Sequence, residues 1–174
     1  MQRFLDLAVR YEVPVIIHYE IDDESLPSLN KMLEANRDCV IILAHNGGRA
    51  DISTLSLLLN DYPNVLVDWA GMTRFGAYGR VLSSNEDYTW YVKNPIEDGI
   101  GHLRPEWKAF AEKYQDRIVG IGFDGAHPEL NRTPEVYMKT MVTFRSMLSD
   151  LSPMAAEKIA SKNAQRVFRV TVVK

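Results

Sequence analysis

The chain has 174 residues, of which 46% are hydrophobic and 25% charged, the balance of an ordinary single globular domain. The net charge of −3 argues against a nucleic-acid partner, and the lone cysteine, Cys39, excludes a disulfide framework and favours a cytoplasmic location. No apolar run approaches the roughly 18 residues of a membrane span, so we expect a soluble domain without a membrane partner.

Apolar periodicity predicts an alternation of helices and strands along the chain. Stripes spaced by three and four residues predict helices over 4–11, 25–36, 52–59, 105–115, 134–148 and 153–168. Solid apolar runs predict strands over 13–17, 39–44, 65–69 and 118–123. Such strands are typical of a parallel sheet that helices cover on both faces, so we expect an α/β fold with four parallel strands. A doubly wound sheet is an alternative, but no phosphate-binding loop supports it.

One stretch, residues 71–101, interrupts this alternation. It holds five glycines, one proline and several aromatic residues without a regular period. Loops of this length are uncommon in compact domains and are often functional. We therefore expect a long loop or insertion here, within a single domain over 1–174. Trp69 and Arg74 are candidates for contacting a substrate through this loop, although packing is the plainer explanation for the tryptophan.

Three of the four predicted strands end in a residue that can bind a metal or move a proton: His18, His45 and Asp124. The carboxyl ends of parallel strands lie on one face, where ligands bind, so we expect these side chains to meet. Two imidazoles and a carboxylate suit Zn²⁺, Fe²⁺ or Mn²⁺, and such an ion activates bound water and polarises a carbonyl. His127 follows Asp124 by three residues and is a candidate substrate-binding residue in the same pocket.

Each of these residues also has a purely structural explanation. A single histidine after a strand often only caps the core, Asp124 can form a turn before Gly125, and His127 can be a solvated loop residue. The functional interpretation depends on similar residues recurring at the same end of the same kind of element. The glycines after His45, Gly47-Gly48, allow either a tight turn or the close approach of a ligand, and are a weak phosphate-binding signal.

Five segments together resemble a known family of enzymes. They are VPVIIHYE, VIILAHNGG, NVLVDWAGM, RIVGIGFDGAHPE and the closing AAEKIASKNAQRVFRV. In this order and spacing they are similar to the second half of amidohydrolase-related metal-dependent hydrolases, including the decarboxylase-like branch built on the TIM barrel. The resemblance implies the C-terminal half of a (β/α)8 barrel, with four strands and flanking helices.

The resemblance also implies roles for particular residues. His18 and Asp124 would bind a divalent metal, Zn²⁺ or alternatively Mn²⁺ or Fe²⁺, and His45 would be a further ligand or the catalytic acid–base. Asp124 matches a residue that also acts as a base, which makes His45 and Asp124 the catalytic pair. The family's closing motif matches Ile159 to Phe168, whereas the His-x-His or Glu-x-His pair of its first strand has no counterpart in the sequence.

These implications give two alternatives for function. The first is metal-dependent hydrolysis, or nonoxidative decarboxylation, of a small carboxylic acid, amide or lactone. The second is a truncated, non-catalytic chain of the same ancestry with a structural or assembly role. In either case a four-stranded parallel sheet leaves two edges and an apolar inner face open. We therefore expect a homo-oligomer, or completion of the barrel by an N-terminal half.

Overall fold

The centre of the protein is a parallel sheet whose three strands are neighbours in the order in which they occur along the chain. A computed structural model describes residues 2–48, 50–75, 95–120, 122, 124 and 133–170. Ile17 pairs with Leu43 and Leu43 with Val67, so the three strands end at the same level. The strands are β1 Val15–Ile17, β2 Ile41–Leu43 and β3 Val65–Val67.

All six predicted helices are present, with ends within two residues of the predicted ones. Three of them begin with proline, at Pro105, Pro134 and Pro153, and proline has no N–H to leave unpaired in the first turn. The last predicted helix is divided into two α-helical parts, which a π-helical turn, Lys158–Lys162, joins. Among the described helices, none is long and apolar enough to cross a membrane. The helices are α1 Gln2–Arg10, α2 Leu26–Glu34, α3 Ile52–Asp61, α4 Pro105–Lys113, α5 Pro134–Ser149, α6 Pro153–Glu157 and α7 Asn163–Phe168.

The predicted fourth strand, 118–123, is not confirmed as a regular strand. The segment runs beside β3, where Ile118 bridges Val67 in parallel and the Val119 N–H donates to the Val67 carbonyl at 2.7 Å. Gly120 then has a φ of +75°, which lies outside the extended region and interrupts a regular ladder. The Gly71 N–H still donates to the Gly122 carbonyl at 3.0 Å, so the described residues of this segment continue to follow the chain after β3.

The two faces of the sheet are covered differently. Residues pointing to one face, among them Val15, Leu43 and Val67, join a large core with apolar residues of α1 to α6. On the other face, Ile42 and Leu66 are buried beneath α7. The neighbouring residue in register on β1, Ile16, is 55% exposed. The expectation of an open apolar inner face therefore holds only at the β1 edge.

Asp51 at the start of α3 gives a pH-dependent test of local stability. Its carboxylate accepts the Thr54 backbone N–H at 2.7 Å, and this bond lowers the pKa of Asp51. A lowered pKa in the folded state means that the stabilisation is present above the unfolded pKa and is lost as the pH falls through the folded one. Asp51→Ala is expected to lower the free energy of unfolding by about 1 kcal/mol near neutral pH, and by less near pH 2. Urea denaturation at both pH values measures this, and a loss of equal size at both would contradict it.

Candidate functional site

Two histidines meet where β1 and β2 end. The rings of His18 and His45 are 5.3 Å apart, edge to face, with an interplanar angle of 66°. Asp124 joins them, because its Oδ2 lies 3.7 Å from His45 Nε2. His45 is therefore a neighbour of both His18 and Asp124, the other two residues predicted as metal ligands. His45 and Asp124 are largely buried, whereas the His18 side chain is 56% exposed.

His45 stands in an unusual left-handed turn. His45 and Asn46 have φ values of 54° and 55°, and Gly47 and Gly48 continue with 68° and 62°. For a residue other than glycine, this conformation costs of order 1–3 kcal/mol, and it persists only where the surroundings hold it. A Cβ at Gly48 would overlap the carboxylate of Glu20. Of the two explanations for this glycine pair, the structure supports a tight turn that gives room to the segment after β1.

The ring of His45 has a defined orientation. Its Nδ1 lies 2.6 Å from the backbone carbonyl of Ala70, and a carbonyl oxygen only accepts hydrogen bonds. Nδ1 therefore carries a hydrogen, and in the neutral ring the lone pair is on Nε2, the nitrogen that faces Asp124. Metal-binding histidines commonly use the N–H of the ring nitrogen that does not bind the metal to donate a hydrogen bond to a carbonyl or carboxylate in this way.

Asp68 is a residue of this site that sequence reasoning missed. Its Oδ1 accepts the backbone N–H groups of His45 and Ala70, each at 2.9 Å. Burial raises the pKa of the Asp68 carboxyl, with the Asp124 charge acting in the same direction, while the two N–H donors oppose the shift. The predicted strand 65–69 enclosed Asp68, whereas the observed β3 ends one residue before it, so Asp68 follows its strand as His18 follows β1.

A second carboxylate, Glu20, lies beside His18. The distance from His18 Nε2 to Glu20 Oε1 is 3.1 Å, so the ring nitrogen that would bind a metal faces this carboxylate. Glu20 lies two residues beyond the strand end, which is why the strand-end pattern did not mark it. Together with Asp68 and Asp124, it makes the neighbourhood of the two histidines rich in carboxylate oxygens.

The residues present can be compared with what a divalent metal requires. Imidazole nitrogen and carboxylate oxygen are the donors that catalytic zinc sites use. The orientation of the His45 ring, with Nε2 towards Asp124, fits a pair of ligands to one ion. Within the described part of the chain, no group of three or more His, Cys, Asp or Glu side chains is gathered closely enough to hold a metal ion. The chemical types of the donors therefore suit a divalent metal, and the His45–Asp124 pair also has a suitable orientation.

The three predicted substrate-binding residues have different surroundings. Arg74 forms an ion pair with the buried side chain of Glu97, and its backbone N–H donates to the same carboxylate at 2.9 Å. Trp69 is fully buried in the large core, and its indole N–H has no hydrogen-bond partner among the described residues. His127 and residues 76–94 of the predicted loop lie outside the described residues.

A cavity of about 500 Å³ opens at the opposite end of the sheet from His18 and His45. Pro14, Val40 and Asn64, which precede the three strands, line it together with Arg117 and Arg166. In parallel α/β barrels, chemistry takes place at the carboxyl ends of the strands, and the amino ends serve stability. We therefore place the candidate site at the two histidines, despite the size of this cavity.

Comparisons with known proteins identify a family and similar folds. The profile of a family described as amidohydrolase matches residues 2–170. An uncharacterised TIM-barrel protein of Bordetella bronchiseptica superposes with a TM-score of 0.61 at 16% identity, over 97% of this chain and 50% of that one. An Agrobacterium tumefaciens protein in its apo form gives 0.60 at 16% identity, over 97% and 54%. The chain thus spans about half the length of these structures. No curated protein sequence matches it significantly.

Proposed function

We propose that this chain, which belongs to the amidohydrolase family over residues 2–170, carries a site for metal-dependent hydrolysis or nonoxidative decarboxylation. Its substrate would be a small carboxylic acid, amide or lactone. The observation that carries the proposal is the orientation of His45, whose Nδ1 donates to a backbone carbonyl while its Nε2 faces Asp124. A histidine that only caps a core does not need its second nitrogen directed at a carboxylate.

The same proposal includes the architecture. The parallel sheet, the helix order and the coverage of about half of two solved structures support a chain that forms the second half of a TIM-type barrel. The carboxyl end of the sheet would then be the catalytic end. His18, His45, Asp68 and Asp124 all follow strands or the strand-like segment at that end.

The roles of individual residues follow from their chemistry. His18, His45 and Asp124 would hold the metal, with zinc as the first choice and manganese or iron as alternatives. When bound, the ion would supply activated water and polarise a substrate carbonyl. His45 is alternatively the acid–base and not a ligand, in which case the lone pair of its Nε2 would take up a proton beside the Asp124 carboxylate, whose Oδ2 is 3.7 Å away.

A non-catalytic member of the family is the second candidate, and two observations favour it. His18 Nε2 faces Glu20, and the described residues form no complete group of three metal donors. Such a chain would keep the fold and the histidine pair without turnover. Metal content and activity of the same preparation therefore separate the two candidates.

Titration of the metal-free protein with Zn²⁺, Mn²⁺ and Fe²⁺ by calorimetry tests the proposal. We expect one metal per chain. Removing a direct ligand, in His18→Ala or His45→Ala, is expected to weaken binding by more than the 10–100-fold typical of an outer-shell change. His102 provides the matched control, because it is an exposed histidine paired with Asp150 at 3.0 Å. His102→Ala is expected to bind metal as the wild type does.

The outcomes divide clearly. Stoichiometric metal with turnover of a small amide, lactone or carboxylic acid supports the enzyme, and metal without turnover across such a panel supports the non-catalytic member. Equal affinity in the wild type and His45→Ala would mean that any metal is bound elsewhere, and the proposed site would be wrong.

A further inference from the structure

We propose that Asp68 is the positioning residue that sets the ring tautomer and orientation of His45. The inference rests on the proposed function, because it takes His45 to be a metal ligand or acid–base. It adds Asp68 to that site and explains how a residue at the end of β3 holds the side chain of a residue at the end of the neighbouring strand, β2. Asp68 acts through backbone groups, so we distinguish it from the residues that would touch metal or substrate.

The first step is the number of bonds between Asp68 and the turn after β2. The Asp68 N–H donates to the Leu43 carbonyl at 3.1 Å, and the Asp68 carbonyl accepts the Asn46 N–H at 3.0 Å. The side-chain Oδ1 accepts the N–H of His45 at 2.9 Å. Two of these bonds are made by the backbone and would exist with any residue at position 68. The bond to His45 itself depends on the side chain.

The second step links the same oxygen to the ring of His45. Asp68 Oδ1 also accepts the N–H of Ala70 at 2.9 Å, a local turn that aspartate forms readily with the residue two positions on. The carbonyl of Ala70 in turn accepts the hydrogen on His45 Nδ1 at 2.6 Å. One carboxylate oxygen therefore holds both the backbone of the histidine and the residue that binds its ring.

The third step is the strain in the turn. His45 and Asn46 are both left-handed, a conformation that L-residues avoid unless neighbouring structure imposes it. The Asp68 side chain supplies a charged acceptor for the N–H at the first of these residues. Without it, the His45 N–H would lose this acceptor, and the turn would be free to relax towards common backbone angles.

Nitrogen-15 NMR of metal-free protein labelled at histidine tests the inference. In the wild type we expect His45 to carry its hydrogen on Nδ1 in the neutral form. In Asp68→Ala we expect a mixture of tautomers, and metal affinity reduced by 10–100-fold, as is typical when an outer-shell partner is removed. Asp68→Asn keeps an oxygen acceptor of the same shape and is expected to restore the wild-type tautomer and most of the affinity.

Asp51 offers a matched control, since its carboxylate also accepts a backbone N–H, that of Thr54, at the start of a helix. Asp51→Ala is expected to leave the His45 tautomer and the metal affinity unchanged. The inference is overturned if folded Asp68→Ala keeps the wild-type tautomer and affinity. It is also overturned if the wild type carries its hydrogen on Nε2, a measurement that needs no variant. The tautomer of His45 is measured in metal-free protein. The test of Asp68 therefore gives a result even if the protein neither binds metal nor turns over a substrate.

Discussion

Asn163→Ala is expected to lower the free energy of unfolding by about 2–4 kcal/mol, a large effect for one side chain of a domain this size. Asn163 is buried at the start of α7, and its amide donates to the carbonyls of Gln115 at 2.6 Å and Ile118 at 2.8 Å. Both carbonyls belong to the segment that enters the strand-like stretch beside β3. The variant would leave them without this donor and a small void in place of the amide.

Urea denaturation followed by circular dichroism measures the loss. Lys162→Ala is the control, because Lys162 is an exposed neighbour of Asn163 whose ion pair with Glu157, at 3.4 Å, is a surface contact worth little. We expect this control to change stability by less than about 0.5 kcal/mol. If Asn163→Ala also changed the free energy of unfolding by less than this, the hydrogen bonds of the Asn163 side chain would not be what holds the last helix against the sheet.

The fold could be predicted to the extent that burial follows from residue type. Apolar runs marked β1, β2 and β3, and proline marked the start of three helices. The runs overstated strand length: β1 and β2 begin two residues later than predicted, and β3 ends two residues earlier. The fourth strand is not confirmed, and the positive φ of Gly120 within it lies outside the extended region. Apolar content indicates where a segment is buried, but not the backbone angles it adopts there.

The site shows a similar division. His18, His45 and Asp124 were predicted from their position after apolar runs, and in the structure His45 is a neighbour of each of the other two. Asp68 has the same position after β3, but its role lies in hydrogen bonds to backbone groups that are distant in sequence. Spacing along a chain does not reveal such bonds. Glu20, which pairs with His18, was missed because it lies two residues beyond the strand end.

The β1 edge leads to the second large prediction, which concerns assembly. β1 is the first strand in the sheet order and pairs only with β2 among the described strands. Ile16 is exposed on this strand, and α1, which precedes it, exposes Phe4 and Leu7 one turn apart, with Tyr11 exposed directly after the helix. An unpaired parallel edge beside an apolar helix face is a surface on which another βα unit can dock.

We propose that a second copy of the chain covers this surface. The strand-like segment at Ile118 and Val119 lies beside β3, at the other side of the sheet, and would meet β1 of the partner. Two copies related by a two-fold axis would then form both junctions at once, which is the commonest symmetry of homo-oligomers. Helix α5, which follows that segment, exposes Met138 and Val142 one turn apart, and these would face α1 of the partner.

Sedimentation velocity is expected to give twice the 19.8 kDa mass of one chain for the wild type. For the double variant Leu7→Glu with Ile16→Lys, we expect the mass of one chain. Both side chains are exposed, so the charges cost little in the isolated chain, but at the junction they would be desolvated without partners. Leu57→Glu serves as the control, because Leu57 is equally exposed on α3, away from the β1 edge. A wild type that remains a monomer at high micromolar concentration would refute the assembly, as would a double variant that still forms the dimer. A dimer lost only in the double variant would locate the junction at β1 and α1.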